Sequence, residues 1–233
     1  MKQTTTIFII VFSMASIFSS VALSQTPPSG TPAPSAGVST PQPAPPKKIS
    51  TPSEYFVEGW KAFRSGNIEM AIYNLDRSIS MKPDYVDAHY LLGQIYQFRA
   101  AQKNRLEVRN QGVVAAETLY VGKYKRGTED LNLAVNHFQI VLQLQPKSAD
   151  AMLDMATCFD NLGRKSDAEA SYKKVFELSP NSDFARNAYN NLGLLYISQK
   201  KYKLARECYE KALAIDPTFI PARMNLEKIY NKK

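Results

Sequence analysis

The stretch from Tyr189 to Pro217, YNNLGLLYISQKKYKLARECYEKALAIDP, predicts two helices joined by a short turn. Leucine, tyrosine and small residues recur at helical spacing on one face of each helix: Leu192, Gly193, Tyr196, Ala205, Tyr209 and Ala212. Because Gly193 and Ala205 lack bulk, we expect the two helices to approach closely where these residues face each other, with tyrosines filling the space around them. Pro217 ends the second helix because it has no N–H to donate.

The same pattern recurs along the chain, with Gly59, Gly93 and Ala156 at the position of Gly193. Prolines 83, 146, 180 and 217 close four successive units, so the steps between them are 63, 34 and 37 residues. This pattern resembles the tetratricopeptide repeat (TPR), a helical hairpin of ~34 residues. The resemblance covers roughly residues 52–231, and the long step predicts an insertion in the second unit.

The resemblance implies an all-α fold, an α-solenoid of four TPR helical hairpins plus a C-terminal capping helix. The repeats are expected at about 52–85, 86–148, 149–182 and 183–219, the insertion at about 98–127 and the cap at 219–231. Within the insertion, the first helix lacks a breaker and is expected to run on, followed by a helix near 113–121 and a glycine-bounded loop near 122–127. In the cap, Leu226 and Tyr230 are expected to face inward and the charged residues to meet water.

The first 51 residues are predicted to lie outside this fold. Lys2 precedes a 17-residue apolar run over residues 7–23, and Ala22-Leu23-Ser24 supplies the small residues of a cleavage site, a pattern typical of a secretory signal peptide over residues 1–24. The alternative is an uncleaved signal anchor, although the run is short of the ~20 residues that span a bilayer. Residues 25–51 are rich in Pro, Ser, Thr and Ala, which predicts a disordered linker.

The formal net charge of +8 is concentrated outside the repeats. Between Phe98 and Thr128 there are seven basic and two acidic residues, and three further lysines precede residue 50. Lys123, Lys125 and Arg126 are therefore candidate contacts for an anionic lipid or polymer, with a solvated helical face as the alternative. No nucleic-acid-reading motif is present, so nucleic acid is not an expected partner.

The residues that usually carry catalysis or bind metals are sparse. His89 and His137 have no metal-ligand or triad partner at a characteristic spacing, and are expected to be packing or surface residues. Cys158 and Cys208 fall on helices two layers apart, so we expect them to be unpaired. With no phosphate-binding loop, nucleophile elbow or paired carboxylates, the sequence predicts a protein that is not an enzyme and has no cofactor.

The TPR resemblance implies a protein or peptide partner bound in the concave groove formed by the first helices of the hairpins. The residues implied to line this groove are Phe56, Trp60, Arg64, Tyr90, Gln94, Gln97, Thr157, Asp160, Asn187, Asn190 and Leu194. Phe56 and Trp60 occupy positions where TPR co-chaperones carry their carboxylate-binding Lys and Asn, so a more apolar and aromatic ligand is expected. The alternative for this aromatic stripe is core packing beneath the linker.

These features give two hypotheses of function. The first is a non-enzymatic interaction scaffold of the cell envelope, periplasmic or secreted, that binds a protein segment in the groove. The second is an envelope-surface protein, tethered or peripheral, whose basic insertion binds anionic lipid or polymer while the repeats act as a spacer. Salt sensitivity separates them, because an electrostatic contact weakens over a Debye length of ~8 Å at physiological salt.

Overall fold

The structure, a computed structural model, describes residues 49–110 and 127–230, with side chains described as far as Asn104 in the first range. Within these ranges it contains nine α-helices and no β-strand. They are α1 (Pro52–Arg64), α2 (Ile68–Met81), α3 (Val86–Asn110), α4 (Thr128–Leu144), α5 (Ala149–Asn161), α6 (Lys165–Leu178), α7 (Asp183–Ser198), α8 (Tyr202–Ile215) and α9 (Ile220–Tyr230). None of the described helices is long and apolar enough to cross a membrane.

The helices pack as successive hairpins. The most extensive contacts join α1 to α2, α3 to α4, α5 to α6 and α7 to α8, and each hairpin then packs against the next. The predicted fold class, an all-α solenoid of helical hairpins, is confirmed. The residue limits of the individual repeats remain predictions.

The first helices of the hairpins lie closer to one another than the second helices do. Contacts join α1 to α3, α3 to α5 and α5 to α7, and these exceed any contacts between successive second helices. A curved stack brings its inner elements together and spreads its outer ones. We therefore call the side of this stack on which α1, α3, α5 and α7 present their partly exposed side chains the inner surface.

Each of three hairpins places a large side chain of its second helix directly on a glycine of its first helix. A Cβ atom built on Gly193 would lie 2.5 Å from the ring of Tyr209, and one on Gly93 would lie 2.6 Å from the ring of Phe138. Leu75 occupies the corresponding place over Gly59, at 2.8 Å. These glycines are therefore needed because any side chain there would overlap its neighbour.

The prediction that Ala205 faces Gly193 stays a prediction. Ala205 is fully buried, and the three atoms nearest to a Cβ built on Gly193 all belong to the ring of Tyr209. The Tyr209 ring, predicted to fill the space around this contact, therefore lies directly on Gly193.

A left-handed residue turns the chain between the two helices in three of the hairpins. Gly66 and Gly163 take φ of +81° and +74°, where glycine has no steric penalty. Lys200 occupies the equivalent place between α7 and α8 with φ of +60°, although it carries a side chain.

The insertion begins on a long helix that is fixed by buried charge. α3 has 25 residues against 13 in α1, so it runs on as the missing breaker predicts. At its extension, Arg99 and Lys103 bind the Asp130 carboxylate at 2.8 and 2.7 Å, and Asp130 is only 2% exposed. Burial opposes ionisation of Asp130, but the hydrogen bonds from the two bases outweigh it and lower its pKa. The helix expected near 113–121 and most of the loop near 122–127 lie outside the described residues.

The capping helix α9 exposes one aromatic residue that the sequence predicted to face inward. Leu226 packs against the core and Arg223, Glu227 and Lys228 are exposed, as predicted. Tyr230, expected to face inward, is instead 49% exposed. Among the described residues, no helix covers the side of α9 that carries Tyr230.

Candidate functional site

At the α1 end, the inner surface is aromatic and partly packed. The ring of Phe56 lies 5.3 Å from that of Tyr85, so Phe56 helps to join the first two hairpins. Trp60 is half-buried against the core, and the Arg64 guanidinium lies 4.8 Å above its ring. Phe56 therefore contributes to packing between hairpins, whereas the half-buried ring of Trp60 lies beneath the exposed Arg64 cation.

The middle of the inner surface carries a hydrogen-bonded carboxylate. The Tyr90 hydroxyl donates to Asp154 Oδ2 at 3.0 Å, and the Gln94 amide donates to the same atom at 3.5 Å. Burial raises the Asp154 pKa to about 6, although both hydrogen bonds act to lower it. Burial also raises the pKa of the Tyr90 hydroxyl. Tyr90, Gln94 and Asp154 together bridge α3 and α5, and their hydrogen bonds hold these polar atoms in defined positions.

The remaining predicted residues of α3 and α5 are half-buried. Gln97 lies one turn beyond Gln94 on α3. Thr157 donates to the Leu153 carbonyl at 3.0 Å, which fixes its rotamer. Burial raises the pKa of Asp160 to about 6, and the nearby Lys165 acts in the opposite direction. The centre of the inner surface therefore bears carboxyl groups whose protonation changes close to neutral pH.

At the α7 end the predicted residues are amides and one leucine. Asn187 and Leu194 are half-buried, and Asn187 Oδ1 lies 3.4 Å from the Arg186 guanidinium. Asn190 is only 7% exposed and accepts a hydrogen bond from Asn225 of α9 at 3.1 Å. Asn190 therefore holds the cap in place and has little surface left for a ligand.

The two histidines meet, although they are 48 residues apart in sequence. His89 Nδ1 lies 3.0 Å from His137 Nδ1, and His89 Nε2 lies 2.9 Å from the Pro83 carbonyl. The ring of Tyr96 stacks on His137 with centroids 5.6 Å apart. Burial and the neighbouring His89 lower the His137 pKa to about 4. Sequence spacing could not show this pair because the insertion separates its members.

Cys158 and Cys208 are free and buried, and burial raises the pKa of Cys208 to about 11. Among the residues that the structure describes, no group of three or more His, Cys, Asp or Glu side chains is arranged to hold a metal ion.

The basic insertion is described only at its start. Arg99 and Lys103, two of its seven basic residues, are paired with buried Asp130, and Arg99 also contacts Glu69 at 3.1 Å. They are therefore not free to bind a polyanion. Lys123, Lys125 and Arg126 lie outside the described residues.

The sequence prediction missed Asp154 on the inner surface. A signal for it was present, because Asp154 lies three residues before Thr157 and therefore on the same helical face. Its hydrogen bond with Tyr90 depends on the packing of α5 against α3, which sequence alone did not supply.

Two protein-family models match the chain. The model described as "Tetratricopeptide repeat" matches residues 187–219. The model described as "Regulator of microtubule dynamics protein 1-3" matches residues 69–192, just over half of the chain.

The matching curated proteins are similar over parts of their length. The chain is 41% identical over 70 residues to an uncharacterized protein, ycf37, of Cyanophora paradoxa, covering 29% of this chain and 40% of that protein. It is 25% identical over 172 residues to the human protein O-mannosyl-transferase TMTC3, covering 67% of this chain but only 18% of that enzyme. The chain thus spans well under half of these relatives.

Solved structures share the fold. A crystal structure of MamA aligns with a TM-score of 0.56 at 22% identity, covering 75% of this chain and 83% of that one. Pseudomonas aeruginosa pilF aligns with a TM-score of 0.57 at 18% identity, covering 78% and 68%. At these identities the likeness shows the fold alone.

Proposed function

Because the chain belongs to the tetratricopeptide repeat proteins, in the family described as Regulator of microtubule dynamics protein 1-3, we propose that it is an interaction scaffold that binds a protein segment on its inner surface. The observation that carries this proposal is the row of half-buried side chains running from Trp60 through Tyr90 and Gln94 to Leu194. Half-buried aromatic and amide groups on rigid helices lose little conformational freedom when a ligand covers them.

The inner surface favours a ligand of mixed character. Trp60 offers an aromatic face at one end, where a large apolar side chain can stack. The Tyr90, Gln94 and Asp154 group offers both donors and acceptors in the middle. An extended segment with an apolar anchor and polar groups a few residues away would satisfy both regions.

We propose that the scaffold is not itself an enzyme. The half-buried groups of the inner surface bridge neighbouring helices, as Tyr90 and Asp154 do, and stabilise the array. The transferase activity of TMTC3 belongs to a protein of which this chain matches 18%, so the match gives no reason to propose that activity here.

We also propose that the protein acts in the cell envelope, on the basis of the secretory signal pattern in residues 1–24. N-terminal sequencing of the protein from fractionated cells tests this placement. We expect a mature N-terminus at Gln25 in an envelope fraction. A protein that begins at Met1 in a soluble intracellular fraction would exclude it.

The binding mode is tested by capturing the partner with the full chain from the cells that make it, and then measuring its affinity for variants. Trp60→Ala should weaken binding by about 30-fold or more, since aromatic hot spots contribute ~2 kcal/mol or more. The matched control is Tyr73→Ala on α2, where the tyrosine is 57% exposed. Equal affinities for the two variants, both folded by circular dichroism, would exclude the inner surface as the site.

A basic surface that binds anionic lipid or polymer remains the second hypothesis, and the described residues do not favour it. Arg99 and Lys103 are committed to Asp130. The basic residues that remain to support this second hypothesis, including Lys123, Lys125 and Arg126, have side chains outside the described part of the chain.

A further inference from the structure

One carboxylate of the inner surface lacks a cation beside it. Asp154 of α5 is only partly exposed, and burial raises its pKa to about 6. Its Oδ2 atom accepts hydrogen bonds from Tyr90 and Gln94, which are both neutral donors. Among the described residues, no Lys, Arg or His forms an ion pair with it. Removing a carboxylate from water costs free energy unless a counter-charge lies close to it.

Asp130 shows how this fold stabilises a buried carboxylate for structural purposes. Arg99 and Lys103 contact its two oxygens at 2.8 and 2.7 Å, and the hydrogen bonds from these bases lower its pKa. Asp154 also joins two helices, but with neutral partners alone, and its pKa is raised instead. Asp130 is therefore part of a complete ion pair, whereas Asp154 is half of one.

The bases of the neighbouring helices are engaged elsewhere. α5 contains no Lys or Arg, and neither does α3 from its start to Phe98. Lys165, at the start of α6, donates to a serine of α7 and lowers the pKa of Asp160. Arg186 of α7 is held by two carboxylates, one on α7 and one after α8. None of these bases neutralises Asp154.

A second carboxylate adds to the negative charge. Asp150 lies four residues before Asp154 on α5, and its charge raises the pKa of Asp154 further. The Ser148 hydroxyl and the Ala151 N–H donate to Asp150, and both donors are neutral. Lys147, in the loop before α5, is exposed and forms no ion pair with either carboxylate. The middle of the inner surface is therefore negatively charged where α3 and α5 meet.

We propose that the segment bound on the inner surface is basic, and that one lysine or arginine of this segment pairs with Asp154 beside Asp150. This inference rests on the proposed function and names the chemistry of its partner, a basic segment that also carries the apolar anchor for Trp60. The cation of the segment supplies the charge that the fold leaves out, which offsets the cost of burying the carboxylate. Because Tyr90 and Gln94 already hold Asp154 in place, little freedom is lost when the pair forms.

Parallel selections from a displayed library of random 12-residue peptides test the proposal. The targets are the full chain and its Asp154→Asn variant, which removes the charge but keeps an oxygen acceptor for Tyr90. We expect peptides enriched on the wild type to share a Lys or Arg near a large apolar residue, and the basic preference to disappear on Asp154→Asn. The matched control is Asp76→Asn, which removes an exposed carboxylate from the second helix α2 and should leave the preference unchanged.

A double-mutant cycle then places the cation. Norleucine replaces each Lys or Arg of the tightest basic peptide in turn, and the affinity of each peptide is measured for the wild type and for Asp154→Asn. A direct pair predicts that one replacement weakens binding to the wild type at least tenfold and to Asp154→Asn less than twofold. Equal losses on both proteins would place the cation elsewhere and overturn the proposal.

The pKa of Asp154 gives a readout on the unaltered protein. NMR of the side-chain carboxyl carbon should give a pKa of about 6 in the free chain. Saturation with the basic peptide should lower it below 5, because a cation favours the ionised carboxylate. The norleucine peptide should leave it unchanged. A pKa that the basic peptide does not lower would overturn the proposal, even if Asp154→Asn failed to fold.

Failure of this inference differs from failure of the proposed function. Peptides that lose affinity for Trp60→Ala, but have no basic preference and bind Asp154→Asn as well as the wild type, would overturn this inference alone. A library without any peptide sensitive to Trp60→Ala would overturn the proposed function as well. A fall in the Asp154 pKa with spermidine or Ca²⁺, without any class of basic peptide that binds, would make this a site for small cations and also overturn the inference.

Discussion

His89 on α3 and His137 on α4 share a hydrogen bond between their Nδ1 atoms, which lie 3.0 Å apart. Because His89 Nε2 donates to the Pro83 carbonyl, its Nδ1 carries a lone pair and accepts from His137 Nδ1–H. The two rings thus join the helices of the second hairpin only while at least one of them is neutral.

This pair predicts a loss of stability in acid. The His137 pKa is lowered from 6.5 to about 4 in the folded chain, so below pH 6.5 the unfolded chain binds the extra proton. Stability from this group is therefore complete above pH 6.5 and lost as pH falls towards 4, by about 3 kcal/mol at most. Urea unfolding at several pH values measures it.

The control for this experiment is His137→Gln, which does not titrate. Asp154 and Asp160, whose pKa values are raised to about 6, act in the opposite direction and stabilise the fold as pH falls. Only the difference between wild type and His137→Gln isolates the histidine. A difference that stays constant from pH 7 to pH 4 would refute the prediction.

The buried carboxylate at the root of the insertion should be important for folding. Asp130→Asn removes the charge that Arg99 and Lys103 face, and breaking a buried pair in this way costs ~3–5 kcal/mol. Lys103 is 40% exposed and can be rehydrated, so we expect the lower end, about 3 kcal/mol, in urea unfolding. Glu69→Gln, where the carboxylate is 80% exposed, should change stability by less than ~0.5 kcal/mol. Similar effects of the two changes would contradict the assignment.

A single methyl group at Gly193 tests the hairpin packing. In an open helix Gly→Ala is stabilising by ~1 kcal/mol. Here the new Cβ would lie 2.5 Å from the ring of fully buried Tyr209, and overpacking costs ~1–3 kcal/mol. We expect Gly193→Ala to lower the melting temperature, and Tyr209→Leu in the same chain to recover part of the loss. A more stable Gly193→Ala would show that the ring can move away.

The turn between α7 and α8 offers a stabilising change. Lys200 has φ of +60°, which costs a residue with a side chain ~1–2 kcal/mol. Lys200→Gly should therefore raise stability by about 0.5–1 kcal/mol, even after the larger entropy that glycine gains on unfolding. Lys203→Gly inside α8 should lower it by about as much. If both changes destabilise the protein in thermal unfolding, the turn is not strained.

The hairpin architecture could be predicted because it depends on local patterns. The recurring glycine and alanine positions and the closing prolines set helix length and facing within one unit. Gly193 shows the limit of this approach: its need for space and tyrosines around it were predicted, but the direct contact between Gly193 and the Tyr209 ring was not.

Contacts between units, and contacts across the insertion within the second unit, could not be predicted in the same way. Tyr90 and Asp154 meet only because α5 packs against α3, and His89 and His137 only because the chain returns after the insertion. Asp130, in the first turn of α4, is paired with Arg99 and Lys103 only because the extension of α3 lies beside it. Phe56 and Trp60 of α1 differ in their surroundings for the same reason, because Phe56 packs on Tyr85 of the next hairpin.

Site-specific photo-crosslinking in the cells that make the full chain tests the central claim most directly. p-Benzoylphenylalanine in place of Gln97 on the inner surface, or in place of exposed Asn136 on α4, would capture whatever lies against each face. We predict that the Gln97 position crosslinks to one protein, that the Asn136 position does not, and that Trp60→Ala lowers the yield at Gln97. Crosslinking of that protein only from the Asn136 position, or a yield at Gln97 that is unchanged by Trp60→Ala, would contradict binding on the inner surface.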